Sequence, residues 1–383
     1  MAKFKPDWIL FLTVVAMVAF GLVVVYSASS VVAEVKFKQP SYVFIAKQVA
    51  FAVVAFCAML WIKSKDYREL CTPSWAFAAL GVVLMLLLAA YFVDGRNHRW
   101  IRYGHAQLQP SEFAKPALAL FLAHFVTRRA RAINDRHTLA QAALALLVLA
   151  FTVVVADFGT AVVLVVMATA VFFVAGLQKR YFLVAGLAGV VLAGFAIASK
   201  PYRLNRIIQY FDPEYKLIDV INPGGHIRRY ASSTLSPRDT AYQGLQSRIA
   251  VSTGGSLGQG LMQGKQKLMF LPEAHTDFIY AVVGEELGFL GCSALLAGFL
   301  VILWRGLRLY LYAADPFGKY LALGVTVTVV VQALINISVV LDMGPTKGIP
   351  LPMISYGGSS LLSTLISLGL LMSVSERTPE PVR

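Results

Sequence analysis

Long apolar runs separated by short polar breaks fill the chain from Trp8 onward. A helix needs about 20 apolar residues to cross a bilayer. On that measure ten spans are expected, at roughly 8–28, 42–62, 74–93, 111–127, 138–156, 158–177, 181–199, 277–302, 319–341 and 355–374. One break is long: residues 200–276, between the seventh and eighth spans. Within it, Leu204, Ile207, Ile208 and Phe211 recur at helical spacing, with Arg203, Arg206 and Gln209 on the other side. That pattern predicts a helix lying in the membrane interface. Residues 214–240, with Asn222-Pro-Gly-Gly and Ser232-Ser-Thr, predict an irregular insert, and Tyr242 to Val251 predict a second helix.

Composition sharpens this into a class. Of the 383 residues 58% are hydrophobic and 14% charged, against about 25% charged in a soluble domain. A soluble fold of this size cannot hide so much apolar surface, so the chain reads as one all-α, polytopic membrane domain over 1–383. The net charge of +14 does not point to nucleic acid, because the basic residues sit between spans. Lys63, Lys65, Arg68, Arg128, Arg129, Arg131, Arg136, Lys179, Arg180, Arg305 and Arg308 fall in alternate segments. The other short loops hold fewer: Lys36, Lys38, Arg96, Arg99, Arg102 and Lys347. The asymmetry places both termini inside, and a long outer loop translocates whatever its charge. Lys3 and Lys5 before an apolar run to Val25 read as an uncleaved first span rather than a signal peptide. Cys57, Cys71 and Cys292 make no disulfide framework.

Candidate chemistry concentrates in Phe270-Leu-Pro-Glu-Ala-His-Thr-Asp277, which leads into an apolar helix carrying Glu285 and Glu286. An ionisable group near lipid is a functional hypothesis by default. Asp277 is either a general base at the outer surface, with its pKa raised by neighbouring carboxylates and desolvation, or a helix N-cap shared with Thr276. Glu273 and His275 flank it. Glu285, eight residues on, shares its helix face, and Glu286 is offset by about 100°. Bonding to a neighbouring helix explains both glutamates. The second outer loop holds Arg99, Trp100 and Arg102, an aromatic belt with cations or a surface for an anionic headgroup or sugar. Glu112 and Lys115 are three apart, a spacing for an ion pair, and Asp157 caps the sixth span or serves the site. The glycine-rich run Ser252–Gly260 with Lys265 and Lys267 offers amides to phosphate, though it is no nucleotide fingerprint. No metal-ligand set and no nucleotide motif is present.

These segments together resemble the SEDS (FtsW/RodA) family of membrane glycosyltransferases. The likeness is carried by Tyr26-Ser-Ala-Ser-Ser30, Arg99-Trp-Ile101, Gln109-Pro-Ser-Glu-Phe-Ala-Lys115, Asp157-Phe-Gly-Thr160, Leu271-Pro-Glu-Ala-His-Thr-Asp-Phe278, Gly284-Glu-Glu-Leu-Gly288 and Pro345-Thr-Lys-Gly348 through Ser360. It runs almost end to end. The Pro-Thr-Lys-Gly and Gln-Lys-Leu forms are nearer the division (FtsW) branch than the elongation (RodA) branch, and the 214–240 insert is longer than the family pattern. The resemblance implies polymerisation of lipid II outside the cytoplasmic membrane of a bacterium. The acceptor's GlcNAc 4-hydroxyl attacks the donor's MurNAc anomeric carbon, and polyprenyl pyrophosphate leaves. It implies that Asp277 is the catalytic carboxylate and that Trp100 matters for activity. It further implies a class B penicillin-binding protein as transpeptidase partner, within the divisome or elongasome. Arg99, Arg102, Lys265, Lys267 and Lys347 are then the cations available for pyrophosphate. A divalent ion, Mg2+ or Mn2+, is compatible with that leaving group, but no ligand set demands one.

Two other readings stay open at this point. A lipid II transporter would line a path across the bilayer with Glu112, Lys115, Glu285, Glu286 and Asn336. A division or elongation scaffold would use Asp277 only as a cap, and would tolerate Asp277→Asn because asparagine caps equally well.

Overall fold

A computed structural model describes residues 7–95, 98–103, 106–212, 215–232, 240–345 and 348–378. Among these the chain is nearly all helical: α1 Trp8–Val35, α2 Val43–Ser64, α3 Pro73–Val93, α4 Pro110–Arg128, α5 Arg136–Ala156, α6 Phe158–Val174, α7 Lys179–Ala198, α8 Pro201–Phe211, α9 Lys216–Ile221, α10 His226–Ser232, α11 Thr240–Gly254, α12 Ile279–Tyr312, α13 Pro316–Val340 and α14 Gly358–Glu376. The helix starts follow from local chemistry. Asp7, Thr72, Asp135, Asp157 and Asp315 accept from free backbone amides at the heads of α1, α3, α5, α6 and α13. Proline opens α3, α4, α8 and α13, where its missing N–H does no harm. Between α3 and α4 a short hairpin forms, which the sequence reading did not foresee. Its strands are β1 Ile101–Tyr103 and β2 Ala106–Leu108, with Ile101 opposite Leu108.

Among the described residues eight helices are long and apolar enough to cross a membrane: α1, α2, α3, α5, α7, α12, α13 and α14. The shorter α6 is apolar too. α4 is less apolar because it carries Glu112, Lys115 and His124 along its length, yet nearly all of it is buried. It sits among α3, α6, α13 and α14. A helix surrounded by protein can carry polar groups that a lipid-facing helix cannot. α7 is the opposite case, with no buried residue at all.

Ion pairs gather the start of α1 and the end of α14 at one end of the bundle. Arg305 holds Asp7 at 2.7 Å, Lys63 holds Glu376 at 3.1 Å, and Arg377 lies 3.4 Å from Asp66. Tyr67 donates to Asp315 beside them. At the far end, α8 lies across the ends of α5 and α7, its Arg203 donating to the carbonyls of Val154 (3.0 Å) and Ala196 (3.1 Å). One expectation is corrected here. Residues 216–221 and 226–232 of the insert are helical rather than irregular, because Tyr215, Ile218, Ile227 and Ala231 close a small core with Ile208. The expected helix over 203–211 forms as α8; Asn205 and Ile208 are its buried positions, and Phe211 is exposed. The remainder of the insert, 233–239 with 213–214, lies outside the described residues.

Candidate active site

The glycine-rich stretch and α12 form one unit. Gly288 has φ 63° and ψ −158°, and breaks α12. The break frees backbone groups that the loop then satisfies. Gln259 and Gly260 donate to the carbonyls of Glu285 (3.0 Å) and Glu286 (2.9 Å), and Phe289 donates to Gly255 at 2.9 Å. The Glu285 carboxylate accepts from the amides of Lys265 (2.7 Å) and Gln266 (3.1 Å). The Glu286 carboxylate accepts from Ser27 Oγ of α1 (2.7 Å), Met262 N (3.1 Å) and Lys267 Nζ (2.5 Å). Both glutamates are 1% exposed. They lie about 10 Å along α12 from its start, so the loop is folded in beside the helix. Irregular backbone near lipid survives only where such partners satisfy it.

This arrangement revises two assignments. Lys267 is not a free cation for pyrophosphate: it is buried, bonded to Glu286 and to Ser27 at 2.7 Å. Of the loop amides offered to phosphate, those of Gln259, Gly260, Met262, Lys265 and Gln266 are spent on Glu285 and Glu286. Lys265 is exposed on the same loop. Glu285 is held by backbone, not by a neighbouring helix.

Asp277 stands apart. It is neither the cap of α12 nor on its face, because the helix starts at Ile279 after Phe278, which makes no side-chain cap bond. The reason lies in the tight turn before it. Glu273 at φ 55° accepts at its carbonyl from the amides of Thr276 and Phe278. Ser355 Oγ then donates to the Thr276 carbonyl (2.5 Å), and Tyr356 N to that of His275 (2.9 Å). Asn336 of α13 donates through Nδ2 to the carbonyls of Asp277 and Ile349, both at 2.7 Å. The Asp277 carboxyl keeps some exposed surface but lies deep under surrounding protein. That desolvation pushes it up to about 6, opposed by the charge of Arg99 and reinforced by Glu273 and Asp157.

Other predicted residues converge around it. Asp157 caps α6 through Gly159 N (3.0 Å) and also accepts from Gln109 (3.2 Å) and Arg99 (3.4 Å). Arg99 lies over the Trp100 ring. His275 packs between Phe44 and Tyr356, and burial lowers its pKa. Arg99 Nε, His275 Nδ1 and Asn336 Oδ1 are buried without a partner among the described residues. Glu273 is exposed, and its carboxylate accepts from Thr276 Oγ1 at 3.0 Å. Arg102 is exposed on the hairpin. Lys115 bonds Glu112 at 2.6 Å and Gln332 at 2.7 Å, and Gln332 donates on to the Pro350 carbonyl (2.8 Å). Lys347 and Arg96 lie outside the described residues.

The sequence reading missed the roles of three residues. Gln332 and Asn336, four apart on one face of α13, fasten the 349–350 segment; Asn336 had been considered only as part of a transport path. It also missed Arg206, whose charge acts on Asp277. Arg206 and Arg203 wall an apolar cavity of about 370 Å³ with Phe158, Ile207, Leu334 and Ile349. Among the described residues no group of three or more His, Cys, Asp or Glu side chains converges to hold a metal.

The pattern of the FtsW, RodA and SpoVE proteins, described as cell cycle protein, matches residues 7–380. The chain belongs to this family. Relatives within it include the probable peptidoglycan glycosyltransferase FtsW of Geobacter metallireducens, 38% identical over 97% of this chain and 95% of that one. Stage V sporulation protein E of Bacillus subtilis is 37% identical over 97% and 98%. Among solved structures, a chain from a peptidoglycan synthase complex that coordinates polymerization and crosslinking superposes with a TM-score of 0.72. It is 28% identical over 97% of this chain and 98% of that one. FtsW/RodA membership accounts for the multi-pass helical bundle and places the chain among proteins of the inner membrane.

Proposed function

We propose that the chain is the peptidoglycan glycosyltransferase of a division-type synthase, polymerising lipid II at the outer face of the cytoplasmic membrane. The observation that carries the mechanism is the Asp277 carboxyl, raised to about 6 among buried polar atoms of Arg99, His275 and Asn336 that have no partner in the described protein. A base with a pKa just below ambient pH is ionised yet still accepts a proton well. Asp277 takes the proton of the acceptor GlcNAc 4-hydroxyl as its oxygen bonds to the donor MurNAc anomeric carbon. The bond to polyprenyl pyrophosphate breaks, and the leaving group carries the electron pair away. Arg99 and Arg206 supply positive charge beside that carboxyl, Arg102 and Lys265 remain exposed candidates for the pyrophosphate, and Lys347 remains one by its sequence. The apolar cavity walled by Arg203 and Arg206 suits a lipid chain that ends in pyrophosphate. A divalent ion, where used, would enter with the pyrophosphate.

In this reading α1 to α7 and α12 to α14 make ten spans, with both termini cytoplasmic and 200–276 outside. The ion-paired end of the bundle, which holds the start of α1 and the end of α14, supports putting both on one side, and the charge asymmetry of the loops supports making that side the cytoplasm. A class B penicillin-binding protein is the proposed partner, in keeping with the synthase complex of the structural relative. The test is glycan polymerisation from lipid II by the purified protein with its transpeptidase, wild type against Asp277→Asn. Loss of polymer with unchanged partner binding supports the base. Retained polymer returns Asp277 to a structural role, and lipid II moving across vesicles without polymer would replace the enzyme with a transporter.

A further inference from the structure

Gly348 lies against Asp277. A Cβ built on it would stand 2.2 Å from Asp277 Oδ2, 3.0 Å from Cγ and 3.5 Å from Oδ1, its three nearest contacts. Its φ lies outside the left-handed region that favours glycine, so no left-handed turn demands glycine there. Only the carboxyl of Asp277 forbids a side chain. The approach is fixed from behind by Asn336, buried to 1%, whose amide ties the Asp277 carbonyl to that of Ile349, the residue after Gly348. Gln332, one turn away, ties Pro350. Gly344 in the same loop is different: a Cβ there meets nothing within 4 Å.

We propose that Gly348 is a positioning residue for Asp277: its missing side chain makes the seat that holds the carboxyl in reacting geometry, and Asn336 clamps that seat to α13. The proposal rests on the reading of Asp277 as the base. A methyl at 348 must push the carboxyl out of its place, and a displacement of about 1 Å at a reacting group can cost about 100-fold in rate.

The experiment is a double-mutant cycle on the full chain with its transpeptidase. Gly348→Ala is made in the wild type and in Asp277→Ala, and melting temperature, kcat, KM and the acid limb of the pH profile are read. The expected result is a melting temperature that shifts in the wild type and stays unchanged in the Asp277→Ala background, since the clash partner is gone. In the wild-type background kcat falls about 100-fold, KM stays within about twofold, and the acid limb leaves its wild-type position. Gly344→Ala leaves melting unchanged in both backgrounds. If Gly348→Ala alone does not fold, recovery of folding in the double variant supports the seat and failure to recover overturns it. An equal shift of melting temperature in both backgrounds overturns it, as does an unchanged kcat and acid limb. Polymerisation retained by Asp277→Asn would instead remove the base reading, while the stability coupling still reports the contact.

Discussion

Three carboxylates within ten residues meet opposite fates. Glu285 and Glu286 are sealed, with backbone amides, Ser27 and Lys267 placed at hydrogen-bond distance from their oxygens. Asp277 is crowded, opposed by the charge of Arg99, and seated on a glycine. The difference lies in what surrounds each carboxylate. Donors arranged around a buried carboxylate fix it in place and tie elements of the fold together, whereas burial without that full complement raises the Asp277 pKa. Spacing along the chain does not distinguish them; depth and donors do.

The sharpest way to break the comparison is to exchange the consequences. Asp277→Asn should lower polymerisation about 100- to 10,000-fold, the usual contribution of a general base, with partner binding intact. Glu286→Ala should do the reverse, acting on the fold first. It leaves Lys267 buried without its counter-charge, which costs about 3–5 kcal/mol, read as lost yield and lowered melting temperature in detergent. Glu286→Gln combined with Lys267→Met removes both charges, keeps an acceptor for Ser27 and Met262, and should recover most of that loss. If Glu286→Ala melts like the wild type, the sealed site is not structural.

Asp277 also makes a prediction about stability. Its folded pKa of about 6 lies above its ordinary 3.8, so between these values the folded state binds more protons than the unfolded one. Stability therefore falls as pH rises through that window. By neutral pH the deficit is on the order of 2 kcal/mol after allowing for partial exposure. Asp277→Asn should melt higher than wild type at pH 7.5, and the gap should close as pH falls toward 4. Polymerisation by the wild type should fall through about pH 6 on acidification. A variant equally stable at both pH values would deny that the carboxyl is desolvated.

Much of this was readable before any coordinates. Apolar run lengths placed α2, α3, α5 and α7, among the most exposed of the long apolar helices, because lipid-facing helices obey one rule. The Glu112–Lys115 spacing anticipated a contact because one helix turn sets it. Asp277 was readable as chemistry, but its position was not. Whether α12 begins at 277 or 279 depends on Glu273 at positive φ and on Ser355 and Tyr356, about eighty residues away, bonding into the turn. Lys267 looked like a spare cation because its partners, Ser27 and Glu286, come from distant elements. Asn336 and Gly348 were illegible as a seat for the same reason: one polar residue in an apolar run and one glycine in a loop acquire meaning only when the fold brings them to the same carboxyl.

The smallest expected effect is the most discriminating, because its sign differs between neighbours. Arg99 lowers the Asp277 pKa, while Glu273 and Asp157 raise it. Arg99→Gln should therefore move the acid limb of polymerisation to higher pH, and Glu273→Gln should move it lower, each by a few tenths of a unit for partly solvated charges. Asp157→Asn should also move it lower, while its side chain still caps α6. Raising the salt concentration should shrink the shift from exposed Glu273 more than that from buried Asp157. Shifts of the same sign for Arg99→Gln and Glu273→Gln would mean that the limb reports some other group, and the contrast between sealed and seated carboxylates would lose its kinetic support.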